Sequence, residues 1–401
     1  MIDSAPCRVR DVAEQLRGVS FERDEALAAP RDGYVPVLRA GNITEAGLTF
    51  DDLLWVPPSR VSPTQFLRPY DVVVAASSGS LGAVGKAAQL PSDWPGTFGA
   101  FCKVLRPRAN VDPKYFGHFF RTRDYRRWVS SRAAGVNINN LRSSDLDDIV
   151  LHLPSLDEQR RIAAILDEAD SLWKKRRNSL GALDQLETTL FLDKFRDCCT
   201  HNTMATVAGL IARSDHIRTG PFGSQLLHSE FEREGIAVLG IDNVVANEFR
   251  WVAGRCITEA KYRELQRYTV RAGDVLITIM GTCGRCAVVP DGLPTMINTK
   301  HLCCITLDRR RCLPEFLQAY FLWHPVAQSY LRRAARGAIM SGLNMTIIKE
   351  LPVPLVPIAD QREFVAARTA INRLRTSYRK AYEQTEELFG ALQHRAFRGQ
   401  L

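Results

Sequence analysis

The stretch "LPSLDEQRRI" (residues 153–162) returns late in the chain as "VPIADQREFV" (356–365), and each copy opens a long run of helix-forming sequence. Around these two entries the whole chain repeats itself. "VPVLRAGNI" (35–43) matches "IAVLGIDNV" (236–244), with Val37, Leu38 and Asn42 over Val238, Leu239 and Asn243. "LRPYDVVVAASSGSLG" (67–82) lies over "VRAGDVLITIMGTCG" (270–284), pairing Asp71 with Asp274, Gly79 with Gly281 and Gly82 with Gly284. "VDPKYFGHFF" (111–120) meets "CLPEFLQAYF" (312–321), and "GVNINNL" (135–141) meets "GLNMTII" (342–348). Five blocks in one order, at a nearly constant offset, mark an internal duplication.

Each copy has two parts. Residues 1–153 and 201–355 mix short β-branched runs with turns. Strands are expected at 35–38, 71–76, 101–105, 236–239, 274–279 and 302–307, with helices over 113–129 and 314–334. That makes each part an α+β (mixed α/β) globule. The second parts, 154–200 and 356–401, each read as one long helix. Apolar residues recur at Ile162, Ile165, Ala169, Leu172, Leu183, Leu186 and Leu190. The later copy repeats the spacing at Phe364, Ala367, Ile371, Leu374, Tyr378, Ala381, Leu388 and Leu392. A three-four spacing puts a narrow stripe on one helix face, the seam of a coiled coil. The expected architecture is two similar globules held apart by two long helices in an antiparallel coiled coil with pseudo-two-fold repetition.

Composition bounds the function. The 401 residues are 45% hydrophobic and 24% charged, which is ordinary for a globular protein. Lys and Arg number 53 against 44 acidic residues, a surplus of nine that suits a polyanionic partner without requiring one. No apolar run is long enough to span a membrane, and "MIDSAPCRVRDVAEQL" lacks a signal-peptide core. The ten cysteines therefore read as cytoplasmic thiols.

Catalytic motifs are missing. "GSLGAVGKAA" (79–88) imitates a phosphate-binding loop, but Lys86 is followed by Ala87 where a hydroxyl should hold magnesium. Neither the four-residue segment of amino-methyltransferases nor a nucleophile elbow, a zinc-protease pair or a dinucleotide fingerprint occurs. Cys283, Cys286, Cys303 and Cys304 have metal-like spacing, yet Leu81 and Val84 replace the first two in the other copy. Cysteine that exchanges with Leu and Val acts as a small hydrophobe, so no metal site is expected.

"IRTGPFGSQL" (217–226), the L/V-P…D-x-Q-R helix entries (Pro154 and Gln159; Pro357 and Gln361) and the terminal "LQHRAFRGQL" (392–401) resemble the specificity subunits of type I restriction–modification systems. The resemblance covers essentially the whole chain. It implies a non-catalytic subunit in which each globule is a target recognition domain for one half of a split double-stranded DNA site. It implies that the helices, entered through Gln159, Arg160, Gln361 and Arg362, dock two methyltransferase (M) subunits and, through them, motor–nuclease (R) subunits. S-adenosylmethionine would then belong to the M partner, ATP and Mg to the R partner, and the location would be the bacterial or archaeal cytoplasm. The first globule lacks the P-F-G turn; "LRGVSFERDEALAAPRDGY" (16–34) stands in its place. Alternatives from other classes are a fused methyltransferase or nuclease, and a coiled-coil adaptor with no DNA role.

Reading bases calls for Arg, Lys, amide and hydroxyl side chains on loops, with close main-chain approach to phosphates. In the second globule the candidates are Arg218, Thr219, Gly220, Phe222, Gly223, Ser224, Gln225, Asn243, Thr282, Arg285, Asn298, Lys300 and Asn344. In the first they are Arg39, Asn42, Ser77, Ser78, Ser80, Asn137, Asn139, Asn140 and Arg142. Phe222 reads primarily as an anchor packed in its own core, secondarily as a wedge against a base.

Overall fold

A computed structural model of the chain describes residues 5–78, 82–133, 140–252, 254–336 and 342–401. It divides into two compact units, one of Met1–Ser179 with Tyr378–Leu401 and one of Leu180–Ser377. Each unit therefore owns one globular head and half of each long helix.

The main sheet of the first unit has the order Ala13–Arg17, Cys102–Pro107, Val72–Ala75, Ala87–Gln89, with every neighbouring pair antiparallel. Val72–Ala75 is wholly buried because the sheet is covered on both faces. Val72 and Val74 join one apolar cluster with Leu105 and Phe116, while Val73 and Ala75 join another with Leu38 and Val104. A continuous apolar strand is what a doubly covered sheet demands. In the second unit the same order recurs as Ile217–Thr219, Leu302–Ile305, Val275–Thr278, Cys286–Val288. A smaller sheet sits beside each. It pairs Val35–Leu38 in parallel with Thr97–Phe98, and Ile236–Leu239 in parallel with Met296–Asn298. A third ladder, Ala5–Arg8 with Val150–Leu153 or Met204–Thr206 with Pro352–Pro354, leads into the long helix.

All six expected strands form, with ends shifted by at most two residues. The two intervening helices do not run through. The first stops at Phe119 and restarts at Arg123, where the Thr122 hydroxyl accepts from the Tyr125 N–H and caps the new start. The second breaks at His324, which precedes Pro325 and takes an extended backbone (ψ 129°). The residue before proline is pushed out of the helical region.

The long helices span Leu156–Phe195 and Ile358–Ala396. Within each unit their halves run antiparallel. In the first, Arg161 reaches the Leu401 carbonyl while Trp173 lies 6.0 Å from Tyr382. In the second, Glu187 meets Arg368 and Arg375 while Phe191 packs 5.4 Å from Phe364. The seam keeps only part of the expected stripe, with Ile162, Ala169, Phe364 and Ile371 buried in it. The buried positions include Ile162, Leu166, Ala169, Trp173, Glu187 and Phe191 on one helix, and Phe364, Ile371, Thr385, Phe389, Gln393 and Ala396 on the other. Leu172, Leu186, Leu374, Tyr378 and Leu388 are all at least 41% exposed. The expected stripe merged two faces, because polar Glu187, Thr385 and Gln393 occupy seam positions that a hydrophobic pattern passes over.

Candidate nucleic-acid interface

Strand pairing fixes the register between the two heads. Leu105 faces Val72 as Ile305 faces Val275, so Cys102 corresponds to Leu302. By the same register Gly18 corresponds to Gly220, since Arg17 faces Lys103 as Thr219 faces Cys303. A Cβ on Gly18 would stand 2.1 Å from the Gly99 carbonyl, and one on Gly220 would stand 1.9 Å from the Asn298 carbonyl. Both glycines are demanded by the crossing of their own chain, which replaces the expected approach of Gly220 to a duplex. "RGVSF" (17–21) is thus the first head's form of "TGPFG" (219–223).

Arg218 is also turned inward. Its guanidinium donates to Thr306 Oγ1 (3.1 Å), to the Thr269 carbonyl (2.5 Å) and to Asp274 Oδ2 (3.1 Å), and Asp274 is 1% exposed. An arginine held this way does not reach a phosphate or guanine. Three asparagines are likewise internal braces. Asn42 accepts from the Arg39 N–H and donates to the Asp51 carbonyl; Asn243 does the same between Gly240 and Arg250. Asn298 is fully buried, with its amide on the Leu302 carbonyl. Gln159 and Gln361, expected on a docking surface, are 2% and 1% exposed. Each accepts from a backbone N–H of its own head (Asp112; Leu313) and donates to a carbonyl at its helix entry (Pro154; Val356). They lock helix to head, while Arg160 and Arg362 beside them are exposed.

Other candidates do reach the surface. In the first head an open cleft of about 830 Å3 gathers Ser20, Arg39, Ser77, Ser78 and Phe101. Asn140 pairs with Ser77 across an isolated bridge, and exposed Arg142 follows it at the start of a short helix. Ser80, Asn137 and Asn139 lie outside the described residues. In the second head Phe222 is 48% exposed, which overturns the expectation of a packed anchor, and Gly223 beside it has φ +57°. Ser224 is exposed, Thr219 is half-buried in a strand, and Gln225 braces the turn by accepting from Tyr268 Oη at 2.8 Å. Thr282, Arg285 and Lys300 are exposed, and Asn344 caps a short helix by accepting from the Ile347 N–H.

Phe101 escaped the sequence reading, and at 70% it is the most exposed of the large apolar side chains among the described residues. It sits at a loop tip whose counterpart carries His301. Ala76 N–H donates to the Phe101 carbonyl as Ile279 N–H does to that of His301. Its signal was present in the register of "GAFC" (99–102) against "TKHL" (299–302). Burial, with Lys300 and Arg255 close by, holds the His301 imidazole below its usual value.

The cysteines act as core. Burial pushes the Cys303 thiol up to about 12, and those of Cys286 and Cys304 also upward. A cluster the sequence did not suggest, Cys198, Cys199 and His324, brings three donor atoms within 4.8 Å. Its histidine is already engaged: Nε2 with the Arg196 carbonyl (3.1 Å), Nδ1 accepting from the Val326 N–H (3.2 Å). Burial also raises the Cys198 thiol to about 12.

Residues 1–182 match the family profile described as "Type I restriction modification DNA specificity domain". The chain is 28% identical to the StySPI specificity subunit of Salmonella potsdam, over 99% of this chain and 89% of that one. It is 27% identical to the EcoKI specificity subunit of Escherichia coli K12, over 98% and 88%. In fold it is similar to the type I restriction-modification S subunit from M. genitalium, with a TM-score of 0.57 at 14% identity, covering 99% of this chain and 96% of that one.

Proposed function

We propose that this chain, which belongs to the specificity subunits of type I restriction–modification systems, reads a bipartite site on double-stranded DNA with one half-site per head. The observation that carries the reading is a pair of heads built to one register but presenting different side chains at matching loop tips. Ser20, Ser77 and Phe101 in the first head stand where Phe222, Met280 and His301 stand in the second. One scaffold with two sets of tips is what two unlike half-sites require, because the fold fixes position and the loops fix base preference.

The long helices present matched apolar positions to other chains. The first unit exposes Leu172 and Leu388, the second Leu186 and Leu374. These support docking of two methyltransferase subunits, with motor–nuclease subunits joining through them. Adenine methylation with S-adenosylmethionine would be the work of the M partner, and ATP- and Mg-dependent cleavage that of the R partner, in the bacterial or archaeal cytoplasm. Among the described residues no helix is long and apolar enough to cross a membrane. The test is to co-express the chain with the methyltransferase subunit of its system and map methylated bases across the genome. A split motif with a fixed gap is expected; one contiguous motif, or none, overturns the reading.

A further inference from the structure

We infer that Phe101 is a specificity-determining residue for the first half-site, making an apolar contact with a base where the second head's matching tip makes a cationic contact with phosphate. The inference rests on the two-headed reading above and names which residue does the reading at one position.

The two tips are superimposable in their bonding. Gly99 N–H donates to the Leu38 carbonyl and Cys102 N–H to that of Gly99; Thr299 and Leu302 repeat both bonds with Leu239 and Thr299. Between these fixed points the first head places Ala100-Phe101 and the second Lys300-His301. Phe101 gains almost nothing from its own head, since an aromatic side chain left 70% in water forgoes most of its burial energy. The tip is nevertheless held rigidly, with the Phe101 carbonyl accepting from both Ala76 and Ser77 N–H groups at 2.9 and 3.0 Å. An exposed aromatic whose backbone is fixed on the rim of a cleft is a binding anchor that needs little main-chain ordering on contact.

The rim chemistry selects bases over phosphates. Asp51 and Asp52 line the same cleft as Arg39, and the Arg39 guanidinium is tied to the Asp52 carbonyl at 2.5 Å. A trough for phosphate would not carry two carboxylates. Serine hydroxyls serve either base type, and a phenylalanine offers contact to a thymine methyl or a base face. At the second tip Lys300 supplies the cation that Ala100 lacks.

The test uses the complex of this chain with its methyltransferase, as wild type, Phe101→Ala, Phe101→Leu and Lys300→Ala. Methylation is mapped genome-wide, and binding to the resulting motif is measured over a salt series. Phe101→Ala should lower the preference for one base of one half-site roughly tenfold, the scale of one lost base contact. Phe101→Leu should retain part of it, and neither should alter the salt slope. Lys300→Ala should reduce that slope by about one phosphate equivalent. An unchanged motif and occupancy in Phe101→Ala, or a uniform loss across both halves, overturns the assignment of Phe101 while leaving the split motif standing. A wild-type map without a split motif takes both readings down.

Discussion

The two heads solve one problem in two ways. In the first, Asp71 is fully buried and closes a turn by accepting from the Arg68 N–H; Arg106 answers its charge at 2.9 and 2.8 Å. In the second, Asp274 accepts from the Arg271 N–H, but the strand position matching Arg106 holds Thr306, and the arginine comes from the neighbouring strand as Arg218. Leu16 stands where Arg218 would fall in the first head. The duplication has kept the ion pair and moved one of its members. A side chain unique to one copy is therefore not thereby functional; its partner must be located first.

The seam between the long helices shows the same freedom. Leu166 and Phe389 pack in one apolar cluster of the first unit. At the matching places the second unit holds Arg368 and Glu187, with Arg375 where the first has Trp173. Glu187 is 4% exposed and serves both arginines.

The largest effect should come from Glu187→Ala, which leaves two arginines facing each other without their shared carboxylate. A loss of about 3–5 kcal/mol is expected in denaturant unfolding. Rebuilding the first unit's set with Glu187→Phe, Arg368→Leu and Arg375→Trp should recover most of it. A cost below about 1 kcal/mol for the single change would mean that the seam is not closed at this layer.

Next comes Arg218→Ala, which strands Asp274 in the core. It should cost about 3 kcal/mol, seen as earlier melting of the second unit. The pair Arg218→Leu with Thr306→Arg copies the first head and should restore stability. If Arg218→Ala instead melts normally and changes one half-site, the internal role given to this arginine is wrong.

The smallest effect belongs to the first unit alone. Burial would raise the Asp167 carboxyl, but hydrogen bonds from His118 and Lys114 outweigh it and hold the group down at about 2. Because the folded value lies below the unfolded one, the stabilisation is complete above about pH 4 and is lost as pH falls toward 2. Asp167→Asn should lower the melting temperature at neutral pH, with the difference shrinking below pH 4. A difference independent of pH would remove the carboxylate from the account.

Much of the fold was legible because duplication turns one sequence into its own alignment. The helix entries and the paired aspartates came from matching one half to the other, and the strands from their β-branched runs. The seam was only partly legible: Ile162, Ala169, Phe364 and Ile371 were found, but Glu187, Thr385 and Gln393 are polar yet buried, while Leu172, Leu186, Leu374 and Leu388 are apolar yet exposed. The interface was half legible. Ser77 and Ser78 were found and do line the cleft, but Asn42, Asn243, Asn298 and Arg218 have the right chemistry in the wrong place. Whether a polar side chain faces solvent or a neighbouring strand is decided by tertiary partners, and residue type alone is silent on that.

The central claim is that two separate heads touch one duplex. Hydroxyl-radical footprinting of the chain with its methyltransferase, on a fragment bearing the mapped motif, tests it directly. The account predicts two protected patches, each covering one half-site, with Phe101→Ala weakening one of them. Protection of a single patch, or weakening of both together by that change, would contradict it.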